Sequence, residues 1–113
     1  MTPKNLIFAC ITCIFLTNCS SDDDLDNPDL KVTYTTDIRS IMNNNCTNCH
    51  GSTTSNGAPM SLTTFSEVKD AVENRDLIAR VNSLTNPMPQ SGLIPKASRD
   101  LIQQWKDDGF LEN

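Results

Sequence analysis

The chain has 113 residues, a formal net charge of −5 at pH 7 and an aromatic content of only 5%. This length allows one small domain, and part of the chain need not belong to it. No basic patch is present that could bind phosphates, so we exclude nucleic acid as a partner. The few aromatic residues predict a thin apolar core, which a large bound hydrophobic group could complete.

Residues 1–18 have the pattern of an export signal. Lys4 provides a short basic start, and the apolar run from Leu6 to Leu16 is too short to span a membrane comfortably. The sequence Leu16-Thr17-Asn18-Cys19 resembles the lipobox of bacterial lipoproteins. That resemblance implies that Cys19 becomes the lipidated first residue, anchoring the protein to a bacterial membrane. An ordinary secretory signal is the alternative, and both predict an extracytoplasmic location, either periplasmic or at the cell surface.

Residues 19–30 are acidic and almost without apolar side chains, which predicts a flexible tether. Residues 19–29 carry five aspartates and no basic residue, so the acidity of the chain is concentrated there. Residues 30–113 carry nine acidic and eight basic residues, a net charge of −1. The domain predicted over residues 31–113 is therefore nearly neutral. The acidic run resembles surface-export signals of some Gram-negative lipoproteins, and a plain solvated spacer is equally consistent with it.

The stretch Cys46-Thr47-Asn48-Cys49-His50 has the pattern C-x-x-C-H, which is the attachment site of a c-type haem. Two thiols three residues apart can lie on one turn and form thioether bonds to the two vinyl groups of a porphyrin. The adjacent imidazole is then directed at the iron as an axial ligand. A redox C-x-x-C or half of a zinc site is the alternative. Zinc needs further thiols or imidazoles, and His50 is the only histidine. The motif predicts one covalent haem c.

The second axial ligand cannot be a histidine of this chain, and a methionine thioether is the obvious candidate. Met60 follows His50 by ten residues, which gives a short path around the porphyrin edge. Met88 has ample chain to reach the opposite face, and Pro87 and Pro89 fix the backbone on both sides of it. We favour Met88, with Met60 and an open or other ligand position as the alternatives.

Apolar periodicity predicts helices and no strands. Three helices are expected, Tyr34–Met42, Phe65–Glu73 and Pro95–Asp108, and a further apolar cluster at helical spacing comprises Leu77, Ile78 and Val81. Thr35 or Thr36 is expected to cap the first helix. A capping box of Thr64 and Glu67 is expected to open the second, and Gly109 to end the last. The predicted fold is all-α, with three to four short helices.

Three features carry a resemblance to a known family. They are the helix that runs into Cys46–Gly51, the Pro87-Met88-Pro89 turn, and the segment Leu101–Gly109 that contains Trp105. With these, the region from Tyr34 to Phe110 resembles a monohaem class I cytochrome c, most closely the planctomycete-type cytochrome c domain. The resemblance implies a small fold wrapped around the haem and Met88 as the distal ligand. It also implies that the Trp105 helix crosses the first helix.

The predicted function is one-electron transfer between a redox protein donor and a redox protein acceptor, without catalysis. Iron in such a site cycles between Fe(II) and Fe(III), and ligation by His50 and Met88 keeps its geometry similar in both states. The sequence offers no second histidine beside the iron. The alternative is a haem enzyme or sensor, peroxidase-like or gas-binding, with an open distal site.

Overall fold

The structure is a computed structural model, and it describes residues 30–113. The predicted signal peptide 1–18, the lipidated Cys19 and the tether up to residue 29 lie outside the described residues. The described part is helical and contains no strand. Its helices, in chain order, are a π-helical turn Tyr34–Ile38, α1 (Arg39–Asn45), α2 (Phe65–Asn74), α3 (Leu77–Val81) and α4 (Lys96–Asp107). Between residues 30 and 113, no helix has the length and apolarity needed to cross a membrane.

The π-helical turn and α1 form one continuous N-terminal helix, which is capped earlier than predicted. The Thr33 hydroxyl accepts a hydrogen bond from the Thr36 N–H at 3.2 Å, while the Asp37 carboxylate accepts from the Thr33 N–H at 2.9 Å. Thr33 is therefore the cap, and the prediction of Thr35 or Thr36 was wrong. Thr33 has the extended backbone that a cap requires. The helix continues to Asn45, whose side chain donates to the Ile41 carbonyl at 2.8 Å.

Helix α2 begins with the predicted capping box. The Thr64 hydroxyl accepts from the Glu67 N–H at 3.3 Å, and the Glu67 carboxylate accepts from the Thr64 N–H at 3.0 Å. Val68, Ala71 and Val72 form its inward face and are buried, and Phe65 is partly buried beside them. The capping box thus fixes where α2 starts, and with it which face meets the core.

Helix α4 supplies the centre of the core through Trp105, which is fully buried. The Trp105 ring packs against Tyr34 at 6.0 Å, Phe65 at 5.9 Å and Phe110 at 4.9 Å between ring centroids. Its Nε1–H donates to the Leu111 carbonyl at 2.8 Å, and the same carbonyl accepts from the Tyr34 N–H at 2.8 Å. Helix α4 therefore packs on the N-terminal helix, and one carbonyl joins the two ends of the described chain.

The chain turns out of α4 where predicted. Gly109 has a φ of +87°, which L side chains rarely adopt, so a glycine at this position ends the helix without strain. The turn brings Phe110 back onto the Trp105 ring.

Candidate functional site

A cavity of about 600 Å³ lies between the end of α1, the loop 56–62, helix α3 and the turn around residue 88. This volume is in the range of sites that bind small molecules and cofactors. Both thiols and the imidazole of the sequence motif line the cavity, and so do both candidate methionines: Cys46, Cys49, His50, Met60 and Met88. Its apolar lining includes Leu62, Leu77 and Val81. The structure thus brings together every predicted site residue in its described part.

The motif forms a tight turn at the end of α1. The N–H groups of Cys49 and His50 both donate to the Cys46 carbonyl, at 3.1 and 2.9 Å. Gly51 follows where a side chain has no room, because a Cβ there would lie 2.9 Å from the Thr47 carbonyl oxygen. Both thiols are free. The turn therefore holds the two thiols and the imidazole at the cavity wall with little freedom.

His50 is the most constrained side chain of the site. It is only 9% exposed, and its Nδ1 lies 2.8 Å from the Met60 carbonyl oxygen. Because a carbonyl can only accept, Nδ1 carries the hydrogen, and in the neutral imidazole the lone pair is then on Nε2. The Leu62 N–H also donates to the His50 carbonyl at 2.8 Å. Segment 60–62 thus fixes both the backbone and the ring of His50.

This arrangement has the form found for histidines that ligate metals. Such a histidine almost always donates its second ring N–H to a carbonyl or carboxylate, which sets the tautomer and orients the ring. The sequence did not predict the contribution of Met60 to this contact. Every residue type has a main-chain carbonyl, so no residue-type signal could have identified it.

The Cys46 thiol differs from the attacking thiol of a redox C-x-x-C motif. Burial raises the pKa of Cys46 to about 11, so the thiol is protonated at neutral pH. Attacking thiols instead have lowered pKa values in electropositive surroundings. The Cys49 sulfur accepts a hydrogen bond from the Asn56 side-chain amide at 3.4 Å.

Among residues 30–113, no three His, Cys, Asp or Glu side chains are grouped so that they could hold a metal ion. Cys46, Cys49 and His50 line one cavity but do not form such a group.

Met88 is half-buried and lines the same cavity as the motif, although it lies far from the motif in sequence. Its N–H donates to the Arg80 carbonyl at 3.0 Å, which ties the turn to helix α3. The flanking Pro87 and Pro89 have no N–H, so this is the one main-chain donor that the tripeptide possesses. The Met88–Pro89 peptide bond is cis.

Two cationic side chains, Arg75 and Arg80, also line the cavity. Arg75 pairs with Asp70 at 2.9 Å in a half-exposed ion pair, a type that stabilises a fold only slightly. Hydrogen bonds from Asn74 and Arg75 hold the pKa of Asp70 below its usual value. Asp70 offsets the charge of Arg75, so Arg80 is the cavity-lining cation without an acidic partner among the described residues.

Comparison of the chain with protein-family models, curated proteins and solved structures finds no match.

Proposed function

We propose that this protein is a membrane-anchored c-type cytochrome that carries single electrons between a redox protein donor and acceptor outside the cytoplasm. Cys46 and Cys49 would hold one haem c through thioether bonds, with His50 and Met88 as the axial ligands. When bound, the haem supplies a reversible Fe(II)/Fe(III) couple. The observation that carries the proposal is the hydrogen bond from His50 Nδ1 to the Met60 carbonyl at 2.8 Å, beside both thiols.

The donor set and its surroundings fit this group. With Nδ1 donating to the Met60 carbonyl, the neutral imidazole of His50 would bind iron through Nε2. The two thiols are unpaired and line the same cavity as the imidazole. The apolar lining suits a porphyrin face, and Arg80 offers a cation to a ligand that carries carboxylates.

The same hydrogen bond favours Met88 over Met60 as the second axial ligand. Met60 and Met88 both line the cavity, but they are held there by different parts of the chain. The Met60 carbonyl accepts from His50 Nδ1, so the Met60 main chain lies beside the ring nitrogen that would not hold the iron. Met60 thus serves to orient His50, the residue that would hold the iron from this wall. Met88 is attached to a different wall, through Arg80.

A closed site with two protein ligands favours electron transfer over catalysis, because a substrate would have to displace one of them. Within this scheme the chain itself excludes water from one histidine face, fixes a tautomer and holds a thioether. These are tasks of binding and positioning.

The decisive experiment compares the ferric spectra of haem-loaded wild type, Met88→Ala and Met60→Ala. Haem staining after denaturing electrophoresis should be positive for all three, since covalent haem survives denaturation. The weak thioether-to-iron band at the red end should be present in wild type, lost in Met88→Ala and retained in Met60→Ala. The Met60→Ala variant is a matched control, because it keeps the main-chain carbonyl that accepts from His50.

Three results would contradict the proposal in different ways. A negative stain on protein matured with the haem-attachment machinery would exclude haem. A band that survives in Met88→Ala would exclude that ligand. A high-spin, five-coordinate ferric spectrum of the wild type would instead support the haem enzyme or sensor.

The lipid anchor has its own test. We expect Cys19→Ala to move the cytochrome from the membrane fraction to the soluble fraction, because two acyl chains and an N-acyl group hold a protein far more firmly than one chain. Cys13→Ala, within the segment that processing removes, serves as the control and should leave the protein membrane-bound. Unchanged membrane association of Cys19→Ala would contradict the anchor.

A further inference from the structure

The segment 83–88, which carries Met88, is attached to helix α3 mainly through one residue. The Arg80 carbonyl accepts from the Met88 N–H at 3.0 Å. The Arg80 guanidinium donates from Nε to the Asn86 carbonyl at 3.0 Å and from Nη2 to the Asn86 side-chain oxygen at 3.3 Å. The Asn86 N–H in turn donates to the Ser83 hydroxyl at 3.0 Å. The Ser83 N–H also donates to the Arg80 carbonyl, at 3.3 Å, so Arg80 holds the segment at Ser83, Asn86 and Met88, and its side chain does so at Asn86 alone.

Burial of apolar side chains contributes little to holding this segment. Leu84, its one aliphatic residue, is 85% exposed, and Asn86 is exposed as well. Pro87 and Pro89 remove the main-chain donors on both sides of Met88. With so few other attachments, the hydrogen bonds of Arg80 have a large share in keeping Met88 at the cavity.

We propose that Arg80 is a positioning residue for Met88, acting through a side-chain clamp on Asn86. This inference rests on the proposed function, in which Met88 is the axial ligand. When the clamp is removed, the segment spends more time in conformations with Met88 away from the iron. A competing small ligand binds only those conformations, so its apparent affinity rises in proportion to their population.

The test is a titration of haem-loaded ferric protein with imidazole, followed by loss of the thioether-to-iron band. For Arg80→Ala we expect imidazole affinity to rise about tenfold, which corresponds to about 1.4 kcal/mol. Asn86→Ala removes one acceptor and leaves the Asn86 carbonyl in place. Its imidazole affinity should rise by a smaller factor, about threefold.

Arg99 offers a matched control. Like Arg80, it donates to one main-chain carbonyl, that of Ile94 at 3.1 Å, and to one asparagine side chain, that of Asn82 at 2.8 Å. Arg99→Ala therefore removes an equivalent pair of hydrogen bonds that end on Ile94 and Asn82, outside the segment 83–88 itself. We expect it to change imidazole affinity less than twofold, although urea unfolding should show a similar loss of stability in both arginine variants.

Two outcomes would overturn the clamp. If the band is present in wild type but Arg80→Ala and Arg99→Ala bind imidazole with equal affinity, Arg80 has only a general structural role. The proposed function then stands. If the wild type has no thioether band, Met88 is not the ligand and the clamp fails together with that part of the proposed function.

Discussion

Replacing Trp105 with phenylalanine tests whether one indole joins the two ends of the domain. The substitution keeps an aromatic ring among Tyr34, Phe65 and Phe110 but deletes the N–H that donates to the Leu111 carbonyl at 2.8 Å. That carbonyl retains only the Tyr34 N–H as a donor. The side chain is fully buried, so its environment cannot compensate with water.

The expected loss of stability is about 2–3 kcal/mol. The lost hydrogen bond accounts for about 1 kcal/mol. The smaller ring leaves a void of about 40 Å³, which costs about 1 kcal/mol, and the loss of buried apolar surface adds to it. For a domain of this size, each kcal/mol lowers the midpoint by about 4–8 °C, so Tm should fall by about 10–20 °C.

The assay is thermal unfolding of haem-loaded protein followed by far-ultraviolet circular dichroism. Lys106→Ala, an exposed neighbour on α4, is the control and should shift Tm by no more than about 2 °C. A Trp105→Phe protein with the same Tm as the wild type would refute the reasoning, because it would show that neither the N–H nor the ring volume contributes to stability.

Two further predictions concern the tight turn at the end of α1 and the start of α2. Gly51→Ala should lower stability by about 1–3 kcal/mol and reduce the yield of haem-stained protein, because the new Cβ would lie 2.9 Å from the Thr47 carbonyl oxygen. Ser52→Ala is the control. Equal yields of the two variants would contradict the effect of this close contact. Hydrogen bonds, of which the one from the Thr63 N–H has the largest effect, hold the pKa of Glu67 below its usual value of 4.5. The ionised carboxylate therefore stabilises the fold above pH 4.5. This contribution is lost as the pH falls through the folded-state pKa. The urea midpoint of wild type should therefore exceed that of Glu67→Gln at pH 7 and approach it in acid, whereas a constant difference would exclude the carboxylate as the cause.

The helices could be predicted from the sequence because each has a local signal. The Thr64 and Glu67 capping box marks the start of α2, and Gly109 marks the end of α4. The first helix was predicted with the wrong cap because three threonines lie close together at its start. Only Thr33 has both the extended backbone and the Asp37 carboxylate returning to its N–H.

The candidate site could be predicted only as far as side chains define it. The C-x-x-C-H spacing identified Cys46, Cys49 and His50, and two prolines drew attention to Met88. The path of loop 51–62 has no periodicity, so the approach of the Met60 carbonyl to His50 had no sequence signal. The same holds for the bonds between Arg80 and the Met88 segment.

Both proposed axial ligands are supported by main-chain carbonyls, which has a consequence for how substitutions act. His50 donates to the Met60 carbonyl, and Met88 donates to the Arg80 carbonyl. A side-chain replacement at position 60 or 80 leaves these carbonyls present. Any effect on a bound haem iron would then arise from side chains that hold the carbonyls or their loops in place. Met60→Ala should therefore be mild and Arg80→Ala should not, because only the Arg80 side chain makes a second attachment to the segment that it supports.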